Sequence, residues 1–158
     1  LTNGGGGRFV GLAWQPQPAA PFGAPCANGS CPACPMVHTA NGDPNLGNLA
    51  FGLDLTGAPG GSLVWCLISI GTCAAPGVTV PPLCGPLYIN SSAGILGSLG
   101  PNLVPGAGCA GATTFPLPLP PNPAFAGLPL ASQCVAFCPA GASGTSLSNC
   151  LSFVLQGN

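Results

Sequence analysis

The sequence predicts an all-β fold, an antiparallel, disulfide-rich β-sandwich of the immunoglobulin-like or jelly-roll-like kind, with about seven short strands. Three observations lead to this prediction. Short apolar runs alternate with turns rich in Gly, Pro, Asn and Ser, no window shows the periodicity of a capped amphipathic helix, and 10 cysteines are spread over most of the 158 residues. A chain of this length suits one domain with its own hydrophobic core.

Seven apolar runs are the predicted strands, and they lie at 8–14, 49–55, 62–70, 84–90, 113–119, 128–137 and 149–155. Turn sequences separate them, among them NGDPNLGN at 41–48, TGAPGG at 56–61 and PAGASGTS at 139–146. In the second run the apolar residues alternate with Ala50, Gly52 and Asp54, which predicts a half-buried strand. The run around Trp65 is apolar throughout, so we expect Trp65 in the core.

The fifth run continues into TTFPLPLPPNP, residues 113–123, in which proline occupies alternate positions. Residues two apart in a strand direct their N–H groups to the same neighbouring strand, and proline has no N–H. Pro116, Pro118 and Pro120 therefore remove donors along one side. Leu117 and Leu119 keep their donors for the other side. The pattern predicts a strand at the edge of a sheet, with an outer side that cannot pair with another chain.

We divide the chain into an N-terminal arm, residues 1–40, and a sandwich domain, residues 41–158. The arm begins with a glycine-rich hinge, continues with the predicted strand 8–14 and ends in a spacer rich in Pro and Cys. This strand either pairs within its own sandwich or exchanges with a neighbouring subunit. Its apolar side chains are the candidate assembly residues, Phe9, Val10, Leu12 and Trp14.

Charged side chains are nearly absent. They are limited to Arg8, Asp43 and Asp54, and the chain has a single histidine, His38. Ordinary domains are about a quarter charged. Nucleic-acid binding needs clustered Lys and Arg, so this function is excluded. A net charge near zero leaves little repulsion between copies, which favours contact of the chain with itself.

The cysteines form an even set in a chain rich in Gly and Pro, a pattern typical of disulfides formed outside the cytoplasm. We therefore expect a secreted, extracellular protein at the cell surface, and the start at Leu1 suggests that a signal peptide has been removed. Gly and Pro interrupt every apolar run before the roughly 20 residues of a membrane-spanning helix, so no span is predicted. The disulfide candidates, whose pairing the spacing leaves open, are Cys26, Cys31, Cys34, Cys66, Cys73, Cys84, Cys109, Cys134, Cys138 and Cys150.

The segment CANGSCPACPMVH, residues 26–38, is the nearest approach to a chemical motif. The spacing of its three cysteines and His38 is one that a zinc site uses, but the oxidising compartment implied by the other cysteines favours disulfides in this loop. CPAC lacks the helix N-terminus that a thioredoxin-like thiol needs, and no nucleophile-elbow motif accompanies His38, which we expect to be a solvated loop residue. No catalytic, metal-binding or cofactor-binding residue is predicted, and we expect the protein not to be an enzyme.

Two N-x-[ST] sequences make Asn28 and Asn90 candidate glycosylation sites, with glycans as a further candidate partner. Trp14 and Tyr88 are the aromatic residues best placed to stack on a sugar ring. They support an alternative function, a carbohydrate- or surface-binding module of a larger secreted protein.

Four segments occur in an order and spacing that resembles a Gly/Pro/Leu-rich domain of large secreted and surface proteins of planctomycete-type bacteria: GDPNLGNLAFGLDLTGAPGGSLVWCLISIG, LCGPLYI, TTFPLPLPPNPAFAGLPLASQCVAFCPAG and SNCLSFVL. The resemblance covers residues 41–158 and implies an all-β sandwich without enzymatic activity. This chain has cysteines beyond the usual one or two of that family, which implies a more heavily cross-linked member: Cys66, Cys73, Cys134, Cys138 and Cys150.

Together these features predict a non-catalytic structural subunit of an extracellular filament, sheath or surface coat. We expect a homopolymer that assembles through apolar and backbone contacts, since charges for electrostatic recognition are missing. Exchange of the N-terminal strand between subunits is the candidate mechanism.

Overall fold

A computed structural model describes residues 19–29, 31–89, 94–138 and 144–157. These residues form 11 β-strands, a 3-10 turn at Pro123–Phe125 and no α-helix, which confirms the all-β prediction. The strands are β1 (Ala20–Phe22), β2 (Cys26–Ala27), β3 (Val37–Asn41), β4 (Gly52–Ala58), β5 (Leu63–Ile70), β6 (Val78–Thr79), β7 (Pro86–Leu87), β8 (Ile95–Leu103), β9 (Gly111–Pro116), β10 (Pro129–Phe137) and β11 (Thr145–Val154). Within these ranges no helix has the length and apolar character needed to cross a membrane.

The strands form two antiparallel sheets and a short ribbon of β6 and β7. Sheet A has the order β1-β11-β10-β5-β8, with β2 beside β11, and sheet B has the order β3-β4-β9. Alternate residues of each strand point into the space between the sheets. Leu53 and Phe115 of sheet B pack there against Val64, Ile68 and Phe153 of sheet A, and all five are buried. The sandwich is therefore built on one central core.

Residues 71–89, the cover segment, form a third layer on the outer face of sheet A. Leu87 of this segment packs on Val135 of β10 in a second hydrophobic cluster. Gln133, also on β10, accepts a hydrogen bond at its Oε1 from the backbone N–H of Tyr88, at 2.8 Å. Sheet A is thus covered by apolar residues on part of both faces.

Four disulfides join segments far apart in the chain, namely Cys26–Cys84, Cys31–Cys138, Cys34–Cys109 and Cys73–Cys150. The first and the last attach the cover segment to sheet A. Because all three cysteines of residues 26–34 are bonded to distant partners, the zinc spacing of that segment is not used, and the disulfide expectation for it is confirmed. The two remaining candidates, Cys66 and Cys134, are not bonded to another sulfur.

Several strand ends differ from the prediction. The runs 62–70 and 128–137 correspond closely to β5 and β10, whereas β4 begins at Gly52 and leaves Leu49 exposed in the preceding turn. The run 84–90 contains only β7. The predicted strand 8–14 lies outside the described residues.

Five strands were not predicted at all, namely the two- or three-residue strands β1, β2 and β6 and the longer β3 and β8. β3 reads VHTAN and is too polar for an apolar run, and β8 reads ILGSLGPNL, in which Gly and Pro weaken strand propensity. Both depend on pairing with a neighbour, β3 with β4 and β8 with β5. Tertiary contacts outweigh local preference in each case.

The boundary predicted at residue 40 falls inside β3. Upstream of it, β1 and β2 both pair with β11, the C-terminal strand of sheet A. From residue 19 onward, the described part of the predicted arm therefore belongs to the sheets of the sandwich.

The proline-rich strand β9 is an edge of sheet B, as predicted. Its strand partner among the described residues is β4. Beyond the end of β9, the Leu117 N–H donates to Phe51 O at 3.0 Å and the Leu119 N–H donates to Asn48 O at 3.1 Å. The leucine donors therefore face the sheet, and the intervening prolines face away from it.

Candidate functional site

The only histidine of the chain, His38, lies in the core, so the expectation of a solvated loop residue is wrong. On β3, His38 and Ala40 alternate with the exposed Val37 and Thr39. A strand directs alternate side chains to opposite faces, and this register turns the imidazole inward. Its exposed fraction is 0%. An imidazole buried this deeply is costly unless its nitrogens have hydrogen-bond partners.

Two unbonded cysteines lie beside the imidazole. Cys66 and Cys134 are directly opposite residues of β5 and β10, and both belong to the central core. Cys66 Sγ is 3.6 Å from His38 Nε2, and Cys134 Sγ is 3.5 Å from His38 Nδ1. Ser132 lies two residues before Cys134, on the same face of β10. We call these four residues, His38, Cys66, Ser132 and Cys134, the His38 cluster.

Hydrogen bonds define the orientation of the imidazole. His38 Nδ1 is 3.2 Å from the backbone oxygen of Asp54, and Nε2 is 2.8 Å from Ser132 Oγ. A carbonyl oxygen can only accept, so Nδ1 carries the hydrogen. In the neutral ring, Nε2 then accepts from the Ser132 hydroxyl. The acceptor lone pair of the imidazole is thus directed towards Ser132 and Cys66.

A β-bulge fixes the position of His38. Ser148 and Asn149 of β11 together lie opposite the single residue Cys134 of β10. Asn149 Oδ1 accepts from the His38 backbone N–H at 2.8 Å, and Asn149 Nδ2 donates to His38 O at 3.0 Å. Ser148 Oγ accepts from the Cys134 N–H at 2.9 Å. Bulges commonly redirect side chains at functional sites, and this one ties β3 to sheet A beside the cluster.

The two thiols ionise differently because they interact with each other. A hydrogen bond from Cys134 lowers the pKa of Cys66 to about 6, with further stabilisation of the thiolate by His38 and Ser132, against the opposing effect of burial. Burial and the neighbouring Cys66 raise the pKa of Cys134 well above its ordinary value. The first proton of the pair is therefore lost easily and the second is retained.

The cluster has the donor atoms of a metal site and lacks the arrangement of a hydrolase triad. One imidazole nitrogen and the two sulfurs lie within 4.8 Å of one another. Cys and His are the side chains that bind zinc and other thiophilic ions. The Asp54 carboxylate does not approach the imidazole as a triad acid would, because it accepts a hydrogen bond from Thr114 Oγ1 at 2.6 Å.

A second candidate site is an apolar groove on the outer face of sheet A, with a volume of about 560 Å³. Trp65 of β5 and Phe137 of β10 meet there edge to face, with ring centroids 5.2 Å apart. We expected Trp65 in the core. Its neighbours Val64 and Cys66 point into the core instead, so the Trp65 side chain points to the outer face of the sheet, where it is half-buried. The groove is lined by apolar residues only, namely Trp65, Leu67, Val80, Pro82, Leu83, Leu87, Ile95, Val135 and Phe137.

The strand β8 forms the edge of sheet A beside this groove. It pairs with β5 on one side and has no strand partner on the other among the residues that the structure describes. Ile95, Leu96 and Leu103 are 52%, 57% and 67% exposed. Irregular pairing near Leu96 and Gly100 leaves a short regular stretch at 97–99. None of the residues of β8 is charged.

Asn28 and Tyr88, two other candidates that the structure describes, are not among the residues of the His38 cluster or of the groove lining. The Asn28 amide donates from Nδ2 to Pro82 O at 2.9 Å and accepts at Oδ1 from Thr145 N at 2.8 Å, so both ends of it already stabilise the fold. Tyr88 is half-buried and packs edge to face on Phe22, with ring centroids 5.1 Å apart. The remaining candidates lie outside the described residues, namely Phe9, Val10, Leu12, Trp14 and Asn90. Ser30, the third residue of the Asn28 glycosylation sequence, also lies outside them.

Sequence reasoning did not identify the His38 cluster as a site. Its members come from three strands that are distant in the chain, and no short motif encodes their pairing. One signal was available, because Ser132 and Cys134 occupy alternate positions in the apolar run LASQCVAF. Polar residues at core-facing positions of a buried strand indicate a polar cluster inside the sandwich.

Comparison of the chain with protein-family models, with curated proteins and with solved structures finds no match.

Proposed function

We propose that the chain is a non-catalytic structural subunit that assembles with copies of itself, through β8 and the apolar groove, into an extracellular filament, sheath or coat. The observation that carries this proposal is the contrast between β9, at an edge of sheet B, and β8, at an edge of sheet A. The outer side of the proline-rich segment after β9 lacks donors, whereas β8 is uncharged, exposes Ile95 and Leu96, and has no second strand partner among the described residues. Unprotected edge strands pair with other chains, which is why most proteins protect them.

The lining of the groove favours an apolar occupant. Contiguous exposed apolar surface marks interaction sites, and the groove lining includes the exposed side chains of Val80, Ile95 and Phe137. A sugar would need polar groups to bind its hydroxyls, and the groove lining provides none. This supports the subunit over the alternative of a carbohydrate-binding module.

The composition favours a second copy of this chain as the partner. With one basic and two acidic residues, copies do not repel one another at close range. The predicted strand 8–14 supplies an apolar, extended segment that fits an open sheet edge, so strand exchange remains the proposed mechanism. The irregular pairing of β8 leaves only a short stretch for backbone bonds, and side-chain packing in the groove would supply the rest of the interface.

The four disulfides support an oxidising, extracellular location for this assembly. They also stabilise a subunit whose surface cannot use ion pairs. Each bridge closes a long loop, and such bridges typically contribute about 2 to 4 kcal/mol.

Sedimentation velocity over a range of protein concentrations tests the proposal. We expect the wild-type chain to form concentration-dependent oligomers. Ile95→Lys places a charge at the junction of β8 and the groove, and should weaken association at least about tenfold because the charge would lose its hydration in the interface.

Leu49→Lys is the matched control. Leu49 is 70% exposed and does not line the groove, so its replacement should leave association unchanged. A wild-type chain that remains monomeric, or an Ile95→Lys variant that associates as the wild type does, would contradict the proposed interface.

A further inference from the structure

We propose that the His38 cluster is a structural zinc site, with His38 Nε2, the sulfurs of Cys66 and Cys134, and Ser132 Oγ as its four ligands. Three strands from both sheets supply these side chains, since β3 belongs to sheet B and β5 and β10 belong to sheet A. A bound ion would join the two sheets at the centre of the sandwich.

The spacing of the donor atoms suits a tetrahedral ion. Zinc binds sulfur at about 2.3 Å and imidazole nitrogen at about 2.0 Å, which places the two donors about 3.6 Å apart. The distance from Cys66 Sγ to His38 Nε2 is 3.6 Å. Cys134 Sγ, now 3.5 Å from Nδ1, would swing to the Nε2 side of the ring. One imidazole nitrogen and both sulfurs already lie within 4.8 Å of one another.

The surroundings of the cluster resemble those that hold a metal ligand in place. A ligating imidazole usually donates its other N–H to a carbonyl or a carboxylate, which fixes the tautomer. His38 Nδ1 has this partner in the backbone oxygen of Asp54, at 3.2 Å. The Asn149 side chain holds the backbone of His38 through its N–H and its C=O. Both the ring and the strand that carries it are therefore oriented towards the sulfurs.

Charge balance favours a divalent ion such as zinc over a monovalent thiophilic ion. When the ion binds, the two thiol protons leave to solvent, and two thiolates then neutralise one divalent cation. A monovalent copper ion would leave one negative charge in the core. The four residues of the cluster include no Lys or Arg whose positive charge could compensate it.

A fifth disulfide is the other state that these cysteines could adopt. Cys66 and Cys134 are opposite residues on adjacent strands, a placement compatible with a bridge. In a bridge both thiol protons would be lost, while the imidazole nitrogens would keep Asp54 O and Ser132 Oγ as their partners. The sulfurs are not bonded to each other in the structure and each lies beside an imidazole nitrogen, which favours a metal over a disulfide.

A cleft lies beside the strand that carries His38. The cleft, of about 330 Å³ between β1 and β3, has His38, Val37 and Asn149 in its wall. This cleft brings solvent next to the strand that carries the imidazole.

The test combines a metal measurement with a thiol count on the exported, full-length chain. The protein is loaded with zinc chloride, freed of loose metal, and analysed by mass spectrometry for zinc and copper. It is then unfolded in denaturant, in the presence of a chelator that removes the metal and an alkylating agent that modifies free thiols. We expect about one zinc per chain and alkylation of the two cysteines outside the four disulfides.

Cys134→Ser should lower the bound zinc at least about tenfold, since the ligand set loses a sulfur. The control is Cys34→Ala/Cys109→Ala, which removes two cysteines of a disulfide and should leave the zinc content unchanged. Cobalt provides a readout that does not depend on these variants. The cobalt-loaded wild type should show the absorption bands of tetrahedral cobalt with thiolate ligands.

Three results would overturn the proposal. No alkylated cysteine and no metal would show a fifth disulfide in place of the ion. Two alkylated cysteines without metal would show a free dithiol. Copper in place of zinc would contradict the assignment of the ion that follows from charge balance.

Discussion

Cys66 and Cys134 lie directly opposite each other on neighbouring strands, and their sulfurs contact the two nitrogens of one imidazole, at 3.6 and 3.5 Å. The disulfides of this chain lie elsewhere, at the cover segment and the loops. This pair is instead at the centre of the sandwich, where hydrophobic packing would otherwise suffice. The polar groups around this cysteine pair need hydrogen-bond partners inside the core, so single substitutions among them should lower the stability of the fold.

Asn149→Ala should destabilise the fold strongly. The Asn149 amide accepts from the His38 N–H and donates to the His38 C=O, and its loss leaves two buried backbone groups without partners. Each unpaired group costs about 1 to 3 kcal/mol, so the free energy of unfolding should fall by about 2 to 6 kcal/mol. Urea unfolding with the disulfides intact measures this change.

Asn122→Ala is the control for this prediction. Asn122 also accepts a backbone hydrogen bond through its side chain, from Ala124 at 3.0 Å, but it does so in an exposed turn. Its replacement should cost no more than about 1 kcal/mol. Equal losses for the two variants would show that Asn149 has no special role beside His38.

Pro116→Thr/Pro118→Thr should increase self-association. These prolines face away from the sheet, and threonine at both positions would restore two outward N–H donors on an edge that is now protected. We expect the aggregated fraction in light scattering to rise at least about twofold.

Pro121→Thr controls for the loss of proline rigidity in the unfolded chain, which costs about 0.4 to 1 kcal/mol per site. Pro121 follows the proline-leucine alternation, and its replacement should not promote pairing. The edge-protection argument fails if the double variant associates no more than Pro121→Thr.

Cys73→Ala/Cys150→Ala should weaken association through the groove. This disulfide holds the cover segment on sheet A, and that segment supplies Leu83 and Leu87 to the wall of the groove. Removal of a bridge typically costs about 2 to 4 kcal/mol of stability, so both this variant and its control are compared at a temperature where they stay folded.

Cys34→Ala/Cys109→Ala lacks a different bridge, whose cysteines do not line the groove. It should lose a similar amount of stability and still associate as the wild type does. Sedimentation of the two variants side by side distinguishes a loss of the groove from a general loss of stability. Association lost equally in both would contradict the role of the cover segment.

Salt should have little effect on the assembly. With one basic and two acidic residues, the interface cannot depend on screened charge pairs. The association constant should change less than about threefold between about 0.05 and 1 M NaCl. Reductant should dissociate the assembly, because it opens the disulfides that hold each subunit. Dissociation at moderate salt, with survival in reductant, would contradict an apolar interface.

The sequence predicted correctly the features that depend on the alternation of residues along a single strand. Alternating prolines at 116 and 118 specify the side on which donors are missing, and the structure places the leucine donors on the other side. The runs that became β5 and β10 were found because their apolar content persists over a whole strand. Gly and Pro turns marked most of the intervening loops.

The features that were missed depend on contacts between distant residues. β8 contains Gly97, Gly100 and Pro101, and it is a strand because β5 pairs with it. The burial of His38 follows from the register of β3 against β4, and the five-residue sequence of β3 gives no sign of it. The pairing of the cysteines, with two left unbonded, likewise follows only from the fold.

Negative-stain microscopy of the native chain, before and after removal of residues 1–14, tests the central claim most directly. We predict regular fibres or sheets for the intact chain. Their loss on truncation would indicate exchange of the N-terminal strand, and their persistence would indicate assembly through β8 and the groove alone. Monodisperse monomers in the intact sample, at every concentration tested, would contradict the proposal that this protein is an assembly subunit.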